Sequence, residues 1–336
     1  MRLRFALLAG LASVAQVNAQ AALPDHPPAG RMVDIGGRKL YLLCSGTGSP
    51  TVVLVAGGGA YSIDWALVQP RVAETTRVCS YDRAGLGWSA PGAADETVEQ
   101  TIGDLHLLLQ AAGEPAPHLM VGASIGGIFV RAYQHAFPKD VAGLVFTNSA
   151  HRVGLRVKDK AGLIWDLSED EIRSGYPLPP SVERGPAPTR EGPPFDRLSP
   201  ELQAVRLAFD VRRWEQWDPA KVGPESTLSW RKEFLREFDE TCSGGQSPLG
   251  RLPLIVISSD PKPEPPNPGQ RSGRSCPRDD AGRDLDLLSS NSVYIVAAGS
   301  GHEIHLFQPD VVVQALSRGV QAVRTGVPVS RAPERP

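Results

Sequence analysis

Three residues of this chain have the types and settings that acyl-transfer chemistry requires. Ser124 is the centre of Gly122-Ala123-Ser124-Ile125-Gly126, a Gly-x-Ser-x-Gly pentapeptide. Asp260 ends the apolar run 253–259, and His302 follows Gly299-Ser300-Gly301 just after the run 293–296. A serine hydroxyl is a weak nucleophile near neutral pH, because its proton must leave as it attacks. It needs an adjacent base, usually a histidine, and a third group that fixes the tautomer and stabilises the imidazolium. The glycines flanking Ser124 predict a turn sharp enough to hold the hydroxyl clear of the backbone. A helix starting behind it would point N–H groups to where negative charge develops.

The pentapeptide alone decides little. With 34 glycines in 336 residues, chance supplies roughly 0.2 such motifs in a chain of this length, and a surface turn would use the same residues. Context raises its weight. A strand-length apolar run, 118–121, precedes it, and a helix-length segment, 127–136, follows and stops at Phe137-Pro138. The Ser-to-helix turn, Asp260 and His302 all fall at the carboxyl ends of expected strands, where open α/β sheets gather their catalytic groups.

The elements that must position these residues are read from the hydrophobic pattern. Residues 32–35 and 39–44 flank Gly36-Gly37 as a hairpin. The run 51–55 is continuously apolar and β-branched, a strand buried on both faces. It leads directly into Ala56-Gly57-Gly58-Gly59, where glycine lets the backbone lie against a bound oxygen. A helix or helical turn over 63–73, a strand over 76–81, a helix over 97–112 with Gly113 as C-cap, and a strand over 141–147 continue the alternation. After the strand at 76–81, Asp82 and Arg83 read as a local ion pair and turn. Alternation of this kind predicts a mostly parallel sheet flanked by helices on both faces, an α/β fold.

The rhythm breaks near residue 150. Residues 151–250 show no strand alternation, and 176–200 are dense in proline. Helical, tryptophan-rich sequence lies on either side, with Trp165, Trp214, Trp217 and Trp230, and with Trp230, Phe234 and Phe238 one turn apart. The stretch is expected to be a helical, Pro-rich cap inserted in the sheet domain, its aromatics forming either its own core or a substrate pocket. The core would therefore comprise 20–150 and 251–325, with a helix over 309–323, leaving 326–336 as a tail.

Composition bounds the function. Hydrophobic residues at 41% and charged residues at 21% are ordinary for a globular protein, and a formal net charge of −2 argues against a nucleic-acid partner. The first 19 residues read as a secretory signal: Arg2 and Arg4, an apolar stretch over 5–17, and Val17-Asn18-Ala19 as a small-residue cleavage site, with Ala19-Gln20-Ala21 a second. The apolar stretch is shorter than a membrane-spanning helix needs, so an exported protein, periplasmic or secreted and without a stable membrane span, is expected. Cys44, Cys79, Cys242 and Cys276 fit no zinc spacing. In an oxidising compartment, pairing like with like joins Cys44 to Cys79 and Cys242 to Cys276; buried free thiols in the strand pair are the alternative.

The stretches Tyr81-Asp82-Arg83-Ala84-Gly85-Leu86-Gly87-Trp88-Ser89, Val121-Gly122-Ala123-Ser124-Ile125-Gly126-Gly127 and Gly299-Ser300-Gly301-His302-Glu303-Ile304-His305 resemble an α/β-hydrolase-fold serine hydrolase of the esterase, lipase and peptidase kind. The likeness runs from about residue 31 to 323, apart from the cap. It implies Ser124 as nucleophile, His302 as base and Asp260 as orienting acid. It also implies an oxyanion hole formed by the N–H of Ile125 and one from Gly57-Gly58-Gly59, Gly58 and Gly59 being nearest, and no metal or organic cofactor. Two positions depart from the family pattern: Ala56 and Ala123 stand where many relatives carry histidine. Neither supplies a backbone donor. Some relatives place the acid after the strand that follows the serine helix, but here that place reads Thr147-Asn148-Ser149. Glu264, Asp284 and Asp286 are less well placed than Asp260. His305 is taken as structural, and His26, His106, His118, His135 and His151 have no site context.

The expected activity is hydrolysis of an ester or related acyl bond in a small, apolar substrate through an acyl-enzyme. Peptidase, thioesterase and carbon–carbon bond hydrolase chemistry belong to the same fold. Dehalogenase and epoxide hydrolase chemistry is disfavoured, since those relatives carry aspartate at the position of Ser124. A non-catalytic small-ligand binding protein is the alternative from another class.

Overall fold

The computed structural model describes residues 29–93, 95–149, 156–158, 164–166, 174, 185–216, 224–242, 247–260 and 283–329. The expected signal sequence, His26, His151, Trp217, Glu264, Cys276 and the last seven residues of the tail lie outside these, as do the side chains of Trp165, Phe238, Cys242 and Asp284.

The first two strands, β1 (Arg31–Asp34) and β2 (Lys39–Ser45), form the expected hairpin. Gly36 and Gly37, at φ 105° and 99°, carry the turn, and Asp34 Oδ1 accepts both their N–H groups at 2.9 Å. β3 (Thr51–Val55) follows, every residue buried. The helix read over 63–73 is broken into a 3-10 turn, Ser62–Trp65, and a single helical turn, α1 (Gln69–Val72). β4 (Val78–Tyr81), α2 (Val98–Ala112), β5 (His118–Ala123), α3 (Gly126–Ala136) and β6 (Val141–Thr147) complete the first half. α2 starts at a Thr97–Gln100 capping box and ends at Gly113 with φ 73°.

Among its described residues, the segment between β6 and the next sheet strand adds no strand to the main sheet. It contains β7 (Arg156–Lys158) and β8 (Ile164–Asp166), which pair with each other, and helices α4 (Pro200–Glu215) and α5 (Pro224–Cys242). The small hairpin corrects the reading of this stretch as free of strands; three residues are too few to show period-two alternation. β9 (Leu254–Ser259), a 3-10 turn (Arg283–Leu288), β10 (Ser292–Ala297), α6 (Ile304–Phe307) and α7 (Pro309–Thr325) close the chain.

Eight strands lie in the order β1-β2-β4-β3-β5-β6-β9-β10. β2 runs antiparallel to β1 and β4, and the strands from β4 to β10 are parallel. Period-two alternation divides the buried residues between two cores. Val53, Val55 and Met120 join Leu105, Leu108, Phe129 and Val130 of α2 and α3 on one face. Val52, Leu54, Leu119 and Val121 join Val72, Val312, Leu316 and Val320 of α1 and α7 on the other. With both faces covered, β3, β5 and β6 can be apolar throughout, and their carboxyl ends share one edge.

Cys44 and Cys79 stand opposite each other in the β2–β4 ladder and form a disulfide, with a Cα–Cα separation of 4.1 Å. Glu114 lies beside the two sulfurs, but these are bonded to each other, and Glu114 instead pairs with Arg77 at 2.7 Å. No helix among the described residues is long and apolar enough to cross a membrane.

Candidate active site

β5 is buried at all six positions and delivers the chain to Ser124 at the sheet edge. Ser124 has φ 51°, in the left-handed region, which costs a non-glycine residue roughly 1–2 kcal/mol. Its N–H donates to Thr147 O at 3.1 Å, and its carbonyl accepts Gly127 N–H at 3.0 Å, so neighbouring backbone enforces the turn. The flanking glycines serve close approach rather than the turn dihedral. A Cβ on Gly122 would lie 2.6 Å from Gly126 C and O, and one on Gly126 would lie 2.4 Å from Val55 O. The turn freedom expected of these two glycines thus falls to the serine itself, and the glycines let β3, β5 and α3 meet.

The glycine loop after β3 reaches this turn. A Cβ on Gly57 would lie 3.1 Å from Ser124 Cβ, and one on Gly58 would lie 3.3 Å from Ile125 Cδ1. Among the described residues, no protein acceptor takes the N–H of Gly58, Gly59 or Ile125. The loop and the Ser124–Ile125 turn thus lie side by side, with these N–H groups left open.

Arg83 braces the loop from beneath. It is buried, and its guanidinium donates to the carbonyls of Ala56 and Gly57. Asp82, also buried, accepts the N–H groups of Ser62 at 2.7 Å and Trp88 at 3.0 Å. The expected Asp82–Arg83 ion pair is therefore replaced by two separate braces, because each side chain reaches across to backbone in another loop. Gly87 makes the turn around Asp82: φ is 52°, and a Cβ there would lie 1.9 Å from Asp82 Oδ2.

Asp260 follows β9 and accepts the N–H of Gly299, which ties it to the loop carrying His302. Both Asp260 and His302 are exposed. Asn148, at φ 44°, joins the same ends: its Nδ2 donates to His302 O at 3.1 Å and Ser259 Oγ at 2.9 Å, and its Oδ1 accepts Ser259 N–H at 3.1 Å. Among the described residues no side-chain hydrogen bond joins Asp260 to His302 or His302 to Ser124. In unliganded sites such bonds are often long and tighten only around substrate. Asn148 was not singled out as a site residue from sequence. The one available signal was its place after β6, where some relatives hold the acid.

His305 is buried against Trp65, with ring centroids 4.5 Å apart. Burial pushes its imidazole down to about 3, so it is neutral and structural. The other histidines are elsewhere: His106 stacks on Phe137, His118 is buried at the start of β5, and His135 pairs with Glu240.

Helix α4 lies over the glycine loop. Phe209 packs against Tyr61 (centroids 4.9 Å) and edge-on against Trp88 (4.8 Å). Arg206, buried, donates to Asp64 at 2.9 Å, Asp210 at 2.6 Å and Glu191 at 3.0 Å, and Tyr61 Oη donates to Asp210 at 2.8 Å. Burial pushes the Asp64 carboxyl up to about 6, against the pull of Arg206. Helix α5 rests on α2 and α3: Ser229 Oγ accepts Val98 N–H at 2.8 Å, Lys232 pairs with Glu99 at 2.6 Å, and Trp230 packs on Phe129. Phe209 and Trp230 thus attach the inserted helices to the sheet domain.

A family model described as "Alpha/beta hydrolase family" matches residues 52–315. The probable transporter efuK of Hormonema carpetanum is 32% identical over 127 residues, 35% of this chain and 18% of that protein. The 2-hydroxy-6-oxo-6-(2'-aminophenyl)hexa-2,4-dienoic acid hydrolase of Metapseudomonas resinovorans is 30% identical over 143 residues, 42% of this chain and 45% of that protein. The chain thus spans less than half the length of either curated relative. Among solved structures, a thermophilic esterase from Thermogutta terrifontis superposes with a TM-score of 0.57 at 20% identity, covering 88% of this chain and 99% of that one.

Proposed function

The chain belongs to the alpha/beta hydrolase family, and from that premise we propose that it hydrolyses an ester or related acyl bond of a small, apolar substrate through Ser124, His302 and Asp260. The observation that carries this reading is the strained Ser124 (φ 51°) held at the β5–α3 turn, with Gly57 packed against its Cβ and open N–H groups beside it. A serine held in that region for packing alone would be better replaced by glycine or asparagine.

Ser124 Oγ attacks the acyl carbon while His302 takes its proton. Negative charge on the former carbonyl oxygen is met by the N–H of Ile125 and of Gly58 or Gly59. Collapse breaks the bond to the leaving alcohol, which receives the proton from His302 and departs, leaving the acyl group on Ser124. Water, deprotonated by His302, then releases the acid. Asp260, anchored by Gly299, orients the imidazole and stabilises its charged form.

The N-terminal 19 residues are proposed to direct export and to be removed. The Cys44–Cys79 disulfide supports that reading, because such bonds persist in oxidising compartments.

The experiment is turnover of 4-nitrophenyl butyrate together with fluorophosphonate labelling. Wild type is expected to do both and Ser124→Ala neither; unchanged turnover by Ser124→Ala overturns the reading.

A further inference from the structure

Four arginines lie at the glycine loop or at the segments packed beside it, and three have partners that hold them there. Arg83 holds two loop carbonyls from beneath, Arg206 is enclosed by three carboxylates, and Arg212 donates to Gly87 O and lies over the Phe209 ring. The fourth, Arg213, reaches from α4 to Gly59. A methyl group added at Gly59 would lie 2.7 Å from Arg213 Nη1 and 2.9 Å from its Cζ, so the guanidinium occupies the space beside Gly59. Gly59 also has φ 63°, the left-handed region that favours glycine.

Arg213 retains unused donors. Among the described residues its one hydrogen bond is to Asp210 Oδ1, at 3.3 Å, and Asp210 already accepts Tyr61 at 2.8 Å and Arg206 at 2.6 Å. The side chain is 52% exposed. Gly57, two residues before Gly59, lies against Ser124, and two residues of extended chain span at most about 7 Å. The guanidinium therefore stands within a few acyl carbons' reach of the reacting serine.

We propose that Arg213 is a substrate-selecting residue, which makes the site prefer acyl groups carrying a terminal carboxylate, such as the half-esters of short dicarboxylic acids. The inference rests on the reading of Ser124 as the nucleophile and revises the apolar substrate of that reading to an acyl chain with a charged end. A planar guanidinium presents paired N–H groups that match a carboxylate in two parallel hydrogen bonds, and it is weakly enough hydrated to give up water for them. Its bond to Asp210 lowers the ordering cost of that contact.

The test compares two activated esters of equal chain length, mono-4-nitrophenyl glutarate and 4-nitrophenyl pentanoate, with wild type, Arg213→Gln and Arg213→Lys. Wild type is expected to favour the half-ester in kcat/KM by about tenfold or more, as a charge-assisted contact implies, and the preference should shrink as salt rises. Arg213→Gln should lose that preference through KM, and Arg213→Lys should recover part of it, keeping the charge but not the fork. Wild type without a preference, or an Arg213→Gln variant that lowers both esters equally, overturns the inference and leaves the hydrolase reading standing. Turnover of neither ester by wild type, with no fluorophosphonate label on Ser124, overturns both.

Discussion

The side-chain amide of Asn148 donates to the main-chain carbonyl of His302 at 3.1 Å, and its Oδ1 accepts the N–H of Ser259, next to Asp260, at 3.1 Å. One side chain thus holds together the ends of β6 and β9 and the histidine loop. At φ 44° the residue stands in the left-handed region, which asparagine tolerates better than most. Asn148→Gly keeps that backbone and removes the side-chain bonds. It is expected to lower kcat about tenfold with little change in KM, since loss of precise positioning acts on the chemical step. Asn148→Ala adds the backbone penalty of about 1–2 kcal/mol and should also melt earlier. Equal kcat for Asn148→Gly and wild type on 4-nitrophenyl butyrate would remove Asn148 from the positioning of His302.

The strain at Ser124 predicts opposite effects on activity and stability. Ser124→Gly relieves the left-handed conformation and should stabilise the fold by about 1 kcal/mol while abolishing turnover. Gly126→Ala should do the reverse: its Cβ would strike Val55 O at 2.4 Å, where only backbone could yield. A loss of about 1–3 kcal/mol is expected for forced overpacking of that kind. Urea denaturation of the two variants against wild type measures both.

Most of the sheet domain was legible because its signals are local. Continuous β-branched runs marked strands buried on both faces, and β3 and β6 are just that. Gly113 marked the end of α2 through its own dihedral. What sequence could not show depends on contacts distant in the chain. Asp82 and Arg83 look like a pair only because they are adjacent; their partners lie 20 and 26–27 residues away for Ser62 and the Ala56–Gly57 carbonyls. Asn148 joins His302 across 154 residues. Arg206 and Phe209 have ordinary helical spacing, and nothing near them in sequence names Asp64 or Tyr61 as partners.

His305 makes stability fall on acidification. Its folded pKa, about 3, lies below the usual 6.5, so the unfolded chain takes up a proton first as pH drops. The stabilisation is present above pH 6.5 and is lost progressively toward pH 3. Asp64 and Glu96, pushed up by burial to about 6 and about 7, act in the opposite sense, losing stability as pH rises toward those values. A variant isolates the histidine term. His305→Phe keeps a ring against Trp65 and does not titrate. Between pH 7.5 and 5.5 wild type should lose about 1.4 kcal/mol relative to this variant, measured by urea unfolding at each pH. A constant difference would contradict the assignment.

The disulfide closes a loop of sequence separation 35. Constraining the unfolded chain in this way is worth about 4 kcal/mol in the chain-entropy model. Replacing both cysteines by alanine, or adding reductant under denaturing conditions, should shift the urea midpoint down accordingly. Activity per folded molecule should hold, because Cys44 and Cys79 sit in the β2–β4 ladder and neither belongs to the loops carrying Ser124, Asp260 or His302.

Attachment of α4 rests on two unlike contacts, and they should fail differently. Phe209→Ala removes an aromatic ring packed between Tyr61 and Trp88, at a cost of about 3–5 kcal/mol where the site cannot collapse. Arg206→Ala leaves Asp64 buried without its cation, a comparable loss of about 3–5 kcal/mol. Arg206→Ala carries an additional signature. Without the guanidinium, burial of Asp64 is opposed only by the Tyr61 N–H, so its carboxyl rises further above about 6. The folded variant therefore keeps its proton to higher pH, and its destabilisation should grow between pH 5 and 8. For Phe209→Ala the loss should be flat across that range. Hydrogen exchange in α4, followed at both pH values, distinguishes the two: pH-dependent loss of protection in Arg206→Ala with a pH-independent loss in Phe209→Ala is the expected pair.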